Sequence, residues 1–288
     1  MLLPPVCVLL NRVRAAGTIT LNRPESLNSM TPDLIQGACA ALSMAASDPD
    51  LRVVILTGAG RGFCAGGDVK GMAGSADAPK GPKRKPRPSP MDAGVWGLRS
   101  DMYSSELLRN MDKITIAAIN GACAGAGFSW ACAADLRFTT KKAKFTTAFV
   151  NVGLTGDFGG TWTLPRIVGT GKARELYLMS EVFTGVEAKD LGLVSDALDS
   201  PEEMMEKVME VATTLADRAP IALQRIKANL NDADTNTFGE GLNNEAERHA
   251  KAGRHPQMGI AAAAFVGKTK PDFSEAGNRK EPWMMTKL

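Results

Sequence analysis

Two turns rich in small residues are the segments of this sequence whose backbone is best suited to chemistry. They are residues 63–68 (FCAGGD) and residues 120–127 (NGACAGAG), and each follows an apolar run. Small residues let a ligand approach the main chain, and N–H groups that begin a helix carry a partial positive charge. Two such turns on neighbouring strands can direct two N–H donors at one oxygen, as in an oxyanion hole. The same residues also suit close packing of a helix on a strand, and composition alone does not separate the two interpretations.

Other glycine and histidine patterns do not form known ligand motifs. Residues 58–62 (GAGRG) lack the third glycine of a dinucleotide-binding turn, and residues 267–269 (GKT) are preceded by Ala262 where a P-loop needs glycine. His249 and His255 lie six residues apart without a cysteine or HExxH pattern. We therefore expect neither a nucleotide-phosphate motif nor a metal site.

The composition is that of an ordinary globular protein. The chain has 288 residues, a net charge of +3 and 44% hydrophobic residues. Its five cysteines are odd in number and scattered, which is typical of reduced thiols in a cytosolic protein. The opening MLLPPVCVLLNRVR has no basic n-region and is far shorter than the roughly 20 apolar residues of a membrane span. We expect a cytoplasmic protein without an export signal or membrane segment.

A basic, proline-rich segment covers residues 73–90 (AGSADAPKGPKRKPRPSP). It is typical of a solvated surface loop, and its position after a glycine-rich turn also allows it to attract a phosphorylated ligand. No aromatic residues are interleaved with its charges and the net charge of the chain is small, so nucleic acid is not expected as a partner.

The pattern of strands and helices predicts an α/β fold. The apolar run at residues 53–58 predicts a strand buried on both faces. Thr31, followed by a proline, predicts the start of a helix. The other strands are expected at 6–14, 17–22, 114–119, 136–139 and 144–146, and the other helices at 94–111, 125–134, 201–217, 220–232, 237–252 and 256–267. We therefore divide the chain into a layered core, residues 1–200, and a helical C-terminal module, residues 201–288.

Six segments carry a resemblance that extends over nearly the whole chain. They are TITLNRPESLNSM (18–30), VVILTGAGRGFCAGGDVKGM (53–72), ITIAAINGACAGAGFSWACAADLRF (114–138), VGLTGDFGGTWTLPRIVG (152–169), GVEAKDLGLVSD (185–196) and AFVGKTKPDF (264–273). In this order and spacing they are jointly specific, and the chain resembles the enoyl-CoA hydratase/isomerase (crotonase) superfamily.

This resemblance implies a fold, an assembly and a substrate class. The fold is the crotonase (ClpP-like) spiral of ββα units with a C-terminal helical module that trimerises, giving a homotrimer or a dimer of trimers. The substrate is an acyl-CoA whose thioester oxygen lies between two backbone N–H groups, which by position belong to Gly67 and Ala126. The family chemistry needs no bound cofactor, because CoA is part of the substrate.

The resemblance also implies where CoA binds. The matching positions are Ala65, Gly66, Asp68, Val69, Lys70, Phe265 and Lys268. The Ala65 carbonyl accepts a hydrogen bond from the adenine, and Phe265 and Lys268 approach the adenine from a neighbouring subunit. Two alternatives stay open: Phe265 is a core residue, and Asp68 fixes the first turn through local hydrogen bonds.

The sequence departs from the hydratases of this family at both water-activating positions. Hydratases carry two glutamates, whereas the matching positions here are Ser129 and Phe149. Neither side chain can serve as a carboxylate base, so we discount the standard addition of water.

One acid, Asp157, lies in the segment 153–160 (GLTGDFGG). Several branches of the superfamily carry an aspartate here, among them dienoyl-CoA isomerases, ring-opening isomerases of phenylacetate breakdown and 4-chlorobenzoyl-CoA dehalogenases. Beside Phe149 and Phe158 its pKa should be raised, which suits a group that takes a proton from one carbon and returns it to another. Asp157 is alternatively the N-cap of a helix over 158–168, a role that is compatible with catalysis.

The leading interpretation is a double-bond isomerase with Asp157 as proton shuttle. The alternatives are a hydratase, an enzyme that uses Asp157 as nucleophile in dehalogenation or thioester hydrolysis, and an acyl-CoA-binding subunit without activity. Asp101 and Glu106, on the helix after the basic segment, are candidates for a second acid.

Overall fold

Two sheets form the framework of the protein. The computed structural model describes residues 7–13, 15–68 and 90–273. The larger sheet has the order β1-β2-β3-β5-β7-β10, with β1 antiparallel to β2 and the other neighbours parallel. Its strands are β1 Val8–Val13, β2 Ala16–Leu21, β3 Val53–Gly58, β5 Ile114–Ile119, β7 Leu136–Thr140 and β10 Asp196–Leu198. The smaller sheet has the order β4-β6-β8-β9, with β4 Gly62–Cys64, β6 Ala122–Ala124, β8 Lys144–Thr146 and β9 Phe183–Thr184.

The chain alternates between the two sheets. Each of β3, β5 and β7 in the larger sheet is followed, after a short turn, by β4, β6 or β8 in the smaller sheet. The three successive repeats lie side by side in both sheets, which makes the core a spiral. The turns that follow β4 and β6 are the two glycine-rich turns, and the parallel pairing of these strands brings them together at one edge.

The strand β3 is buried on both faces, as the continuous apolar run predicts. Val53 and Ile55 pack on one face against Met204, Val208 and Ala212 of the helix Pro201–Ala216. On the other face the residues of β3 join the main core, which the first helix and the helix after β6 complete. This core holds the two glycine-rich turns in place.

Eleven helices have defined bounds within the described residues. They are α1 Pro32–Ser47, α2 Pro90–Asp101, α3 Tyr103–Asn110, α4 Gly125–Ala133, α5 Gly160–Val168, α6 Thr170–Met179, α7 Gly185–Asp190, α8 Pro201–Ala216, α9 Pro220–Ala233, α10 Phe238–Gly253 and α11 Pro256–Gly267. Thr31 caps α1 through its side chain, as its sequence position predicts. In residues 199–273 the structure has no strand, in agreement with the prediction for this part of the chain.

The prediction of one helix over 94–111 was wrong. The structure has two helices, α2 and α3, with a break at Met102. At the break the Ser104 hydroxyl donates a hydrogen bond of 2.8 Å to the Asp101 carbonyl, which competes with the regular helical pattern. No helix in the described part of the chain is both long and apolar enough to cross a membrane.

Candidate active site

The first glycine-rich turn exposes the amide of Gly67. The Met30 amide donates to the Gly66 carbonyl at 2.7 Å, and the Asp68 amide donates to the Met30 carbonyl at 3.3 Å. In this parallel bridge the residue between the two bonds, Gly67, turns its own N–H away from the Met30 strand. Within the described residues the Gly67 amide donates no hydrogen bond to the protein.

Glycine is required at position 66 because two turns approach each other there. Gly66 has φ of +82°, a backbone conformation that side chains disfavour. A Cβ on Gly66 would lie 2.8 Å from the Ala124 carbonyl oxygen and 3.4 Å from the Ala126 nitrogen. The first turn therefore touches the second at the position where the second turn enters α4.

The second turn presents the N-terminus of α4. Ala124 is its N-cap residue and has no side chain that accepts a hydrogen bond, so the first-turn amides keep their donors. Ala126 lies in this first turn, and in the described part of the chain its amide makes no hydrogen bond with the protein. The partial positive charge of the helix N-terminus strengthens a hydrogen bond from the Ala126 amide to a negative oxygen. All of α4 is buried, which fixes the direction of the amide.

A cavity of about 80 Å³ joins the two turns to the third candidate, Asp157. Gly67 and Ala126 form one wall. The other lining residues are Ala65, Gly66, Gly125, Ala148, Phe149, Val152, Leu154 and Asp157. Among the described residues, Asp157 is the one titratable side chain that lines this cavity. The structure thus brings together the three residues that the sequence assigns to catalysis.

A left-handed turn positions Asp157. Gly156, Phe158 and Gly159 around it have φ of +115°, +48° and +80°. Positive φ is unusual for phenylalanine, and tertiary contacts hold Phe158 in it. The Ser105 hydroxyl donates to the Phe158 carbonyl at 2.9 Å, and the Phe158 ring packs edge-on against Trp130 at 5.8 Å.

The interpretation of Asp157 as a helix N-cap was wrong. The helix α5 begins at Gly160, Gly159 is its N-cap, and no side chain caps it. Two successive residues with positive φ separate the Asp157 side chain from the helix start. One carboxylate oxygen of Asp157, Oδ1, is buried and has no hydrogen-bond partner in the described structure. Burial raises the pKa of Asp157 to about 6, which is the direction that its apolar neighbours predict.

The two positions of the missing glutamates lie beside this carboxylate. Phe149 lines the cavity with its ring, and Ser129 is fully buried on α4. The Ser129 hydroxyl donates a long hydrogen bond of 3.4 Å to the Gly125 carbonyl.

Tyr177 also belongs to this neighbourhood, and the sequence analysis missed it. Its ring stacks on Phe149 with 6.2 Å between centroids and 8° between planes, and its hydroxyl is buried beside Ser129. Tyr177 lies on α6, which buries only Ala173 and Leu176, so the apolar spacing of this helix is too weak to show in the sequence.

The residues that the sequence assigns to CoA binding lie in different parts of the structure, and two of them lie outside the described residues. Ala65 lines the cavity, and the Asp68 amide supports the first turn. Val69 and Lys70 lie outside the described residues, as does nearly all of the basic segment. Phe265 is 86% exposed, so the interpretation of this side chain as a core residue was wrong for the single chain. Lys268 caps the C-terminus of α11 with φ of +51°.

The remaining candidate acids do not line the cavity. Asp101 is half-buried at the end of α2, and burial raises its pKa. Glu106 forms an ion pair with Arg99 on the surface. In the described ranges no three histidine, cysteine or acidic side chains are grouped so that they could hold a metal ion.

Comparisons with known proteins agree with this geometry. The enoyl-CoA hydratase/isomerase family matches residues 12–276. The chain is 34% identical to the 1,2-epoxyphenylacetyl-CoA isomerase of Escherichia coli (strain K12), over 89% of this chain and 94% of that protein. It is 32% identical to the peroxisomal Delta(3,5)-Delta(2,4)-dienoyl-CoA isomerase of Arabidopsis thaliana, over 89% and 92%.

Hydratases are also among the similar proteins. The crotonyl-CoA hydratase of Syntrophomonas wolfei is 28% identical, over 92% of this chain and 97% of that protein. A solved structure of an enoyl-CoA hydratase from Polaromonas sp. JS666 superposes with a TM-score of 0.82 at 31% identity, covering 92% of this chain and 98% of that one. The shared fold is the crotonase spiral with its helical C-terminal region, and the chain belongs to the enoyl-CoA hydratase/isomerase family.

Proposed function

We propose that the protein isomerises an unsaturated acyl-CoA by moving a double bond. The thioester oxygen binds between the amides of Gly67 and Ala126, and Asp157 carries the proton. One observation supports this most strongly: the cavity that contains both amides also contains one unpaired carboxylate, whose pKa burial raises to about 6. A carboxylate with such a pKa is mostly ionised at neutral pH and is still basic enough to take a proton next to a thioester.

The proposed isomerisation moves one proton within the substrate and consumes neither water nor a second substrate. Ionised Asp157 removes a proton from the α carbon, and the electron pair moves into the thioester carbonyl to give an enolate conjugated with the double bond. The two amides stabilise the negative oxygen, and each such donor contributes about 3 kcal/mol. Protonated Asp157 then returns its proton at the γ carbon, which shifts the double bond and restores the carboxylate.

Addition of water is disfavoured because both glutamates of a hydratase are missing. Phe149 presents a hydrocarbon ring to the cavity, and the buried Ser129 hydroxyl is directed to a backbone carbonyl. Two of the similar proteins are named as isomerases, and a third, 36% identical over 69% of this chain, is named as a probable enoyl-CoA hydratase, so the choice rests on the residues of the site.

The CoA and assembly assignments are part of this proposal. We assign the Ala65 carbonyl to the adenine, with Phe265 and Lys268 supplied by a neighbouring subunit of a trimer. The large exposure of Phe265 on a single chain supports this, because so large an apolar side chain gains about 2 kcal/mol when a partner or ligand covers it.

Turnover of a panel of enoyl-, dienoyl- and aryl-CoA esters in heavy-oxygen water tests the proposal. We expect a shifted double bond, no heavy oxygen in the product, and loss of turnover in Asp157→Asn while the acyl-CoA still binds. Incorporation of one heavy oxygen would instead indicate hydration, dehalogenation through an aspartyl ester with release of halide, or thioester hydrolysis through an aspartyl anhydride with release of CoA. Tight binding without any turnover would indicate a binding subunit, and an active Asp157→Asn variant would refute the role of the carboxylate.

A further inference from the structure

Two buried polar atoms at the proposed site lack a hydrogen-bond partner within the described residues. They are Oδ1 of Asp157 and the hydroxyl of Tyr177. A buried polar atom without a partner costs about 1–3 kcal/mol, so each such atom in a native protein calls for an explanation. The Asp157 charge acts on Tyr177 and is one of the causes that raise the pKa of Tyr177, so the two groups share one environment.

Tyr177 packs close to three residues around Asp157, namely Phe149, Gly156 and Gly160. Its ring stacks on Phe149 in the cavity wall. A Cβ built on Gly156, the residue before Asp157, would lie 3.5 Å from Tyr177 Cε1. A Cβ on Gly160, at the start of α5, would overlap both the Tyr177 hydroxyl and the Ser129 hydroxyl. The turn that carries Asp157 is therefore packed directly against these two hydroxyls.

The hydroxyl of Tyr177 is a donor at every pH of interest. Burial is the main cause that raises its pKa, so the hydroxyl keeps its proton. Ser129 lies beside it without a hydrogen bond of regular geometry to it. Asp157, once ionised, accepts hydrogen bonds only. Hydrogen bonds of catalytic groups are often poorly aligned in the free enzyme and form only in the complex.

We propose that Tyr177 is a positioning residue for Asp157. When an acyl group fills the cavity, the Tyr177 hydroxyl donates a hydrogen bond to the Asp157 carboxylate. The Ser129 hydroxyl lies next to the Tyr177 hydroxyl at Gly160. This inference rests on the proposed function. The bond holds the carboxylate in one direction for both proton transfers. It also favours the ionised form of Asp157 and so opposes the effect of the acyl group, which removes water from the carboxylate.

Within residues 7–13, 15–68 and 90–273, few other titratable groups face this cluster from the elements packed on it. The Asp157 turn contributes Asp157 itself, α6 contributes Tyr177, and α4 contributes Cys132, whose pKa burial raises to about 12 and which is therefore neutral. The positive charge of Arg137 acts on Cys132 and does not change with pH. Phe149, Val152 and Leu154 on the cavity side do not titrate.

The test is an infrared titration of Asp157 with and without hexanoyl-CoA, a saturated thioester without a double bond to move. The Asp157 signal is the difference between the wild type and Asp157→Asn. Filling the cavity removes water from the carboxylate in both proteins, so the effect of the hydrogen bond is the difference between the wild type and Tyr177→Phe, which keeps the ring and its stacking on Phe149. With hexanoyl-CoA bound, we expect the pKa of Asp157 to be about one unit lower in the wild type than in Tyr177→Phe, because the ionised form has a donor only in the wild type.

Activity gives a second measure. For the isomerisation we expect kcat of Tyr177→Phe to fall about tenfold or more with KM nearly unchanged, since the orientation of the carboxylate is lost and CoA binding is not. Tyr103→Phe removes the same atom from the other tyrosine of the chain, which is 48% exposed and does not line the cavity, so both measures should stay at wild-type values.

The outcomes separate this inference from the proposed function. An equal pKa of Asp157 in the wild-type and Tyr177→Phe complexes overturns the role of Tyr177 and leaves Asp157 as the base. A structure of the wild type with hexanoyl-CoA in which the Tyr177 hydroxyl lies beyond hydrogen-bond distance of the Asp157 carboxylate overturns it as well, even if the variant does not fold. A chain that binds no acyl-CoA overturns both proposals.

Discussion

The Ser105 hydroxyl donates a hydrogen bond of 2.9 Å to the carbonyl oxygen of Phe158, across 53 residues of sequence. Both groups are buried, and Phe158 is held at φ of +48°. This bond joins α3 to the turn that presents Asp157. A left-handed phenylalanine costs about 1–2 kcal/mol, and the bond offsets a large part of that cost. The helix α3 thus helps to determine where the carboxylate points.

Ser105→Ala tests whether this bond serves the site rather than stability alone. We expect unfolding free energy to fall by about 1 kcal/mol and kcat to fall about tenfold, because the turn loses its restraint and the carboxylate its direction. Urea unfolding and steady-state kinetics measure the two effects. In the control variant Thr139→Val, a buried hydroxyl bond of 2.9 Å to the Ile119 carbonyl is lost on β7, away from the turn. Equal losses of kcat in both variants would count against the role of Ser105.

Asp157→Asn should make the protein more stable at neutral pH. The folded-state pKa of Asp157, about 6, lies above the ordinary value of 3.8. Between these values the folded chain binds more protons than the unfolded chain, so stability falls as the pH rises, and above about pH 6 the full cost of the buried charge is present. The neutral amide avoids this cost. We expect a gain of about 2 kcal/mol at about pH 7.5 and almost none at about pH 4.

Asp196→Asn is the control, because the folded state lowers the pKa of Asp196 whereas it raises the pKa of Asp157. The hydrogen bond from Lys189 lowers the pKa of Asp196, so the ionised form stabilises the folded state and this contribution is lost as the pH falls through the folded pKa. We expect no gain in stability from Asp196→Asn at neutral pH, and a loss below about 1 kcal/mol, because the pair is near the surface.

For Asp157→Asn, a gain in stability that is the same at about pH 4 and about pH 7.5 would show that the Asp157 carboxylate is not buried as a charge.

Ala126→Pro removes one proposed oxyanion donor and places the Cδ atom of the proline ring at the cavity in place of the amide hydrogen. Proline is tolerated in the first turn of a helix, and the Ala126 amide makes no hydrogen bond in the described structure. We expect kcat to fall about 100-fold to 1000-fold, with the circular dichroism spectrum unchanged. Ala126→Gly keeps the amide and should retain most of the activity. Full activity of the proline variant would remove Ala126 from the account.

The sequence predicts individual elements such as β3 and α1 because local rules determine them, whereas the spiral arrangement was expected from the family resemblance. The continuous apolar run of β3 and the threonine cap of α1 are both present in the structure. The raised pKa of Asp157 also follows from its neighbours in the chain. These features depend on residues close in sequence, so composition and spacing are sufficient to predict them.

Features that depend on long-range contacts were missed. Asp157 does not cap α5, because the positive φ of Phe158 is imposed by Ser105 and Trp130, which are distant in sequence. The role of Tyr177 depends on the packing of α6 against the Asp157 turn, and periodicity carries no information on that contact. The exposure of Phe265 likewise reflects the arrangement of the C-terminal helices.

The positions of the two amides and of Asp157 around the substrate can be measured in a crystal structure with a bound, slowly reacting acyl-CoA. We expect a thioester oxygen about 3 Å from both the Gly67 and the Ala126 nitrogens, with an Asp157 oxygen about 3–4 Å from the α or γ carbon. A thioester carbonyl turned away from either amide, or a different carboxylate next to the reacting carbons, would contradict this expectation.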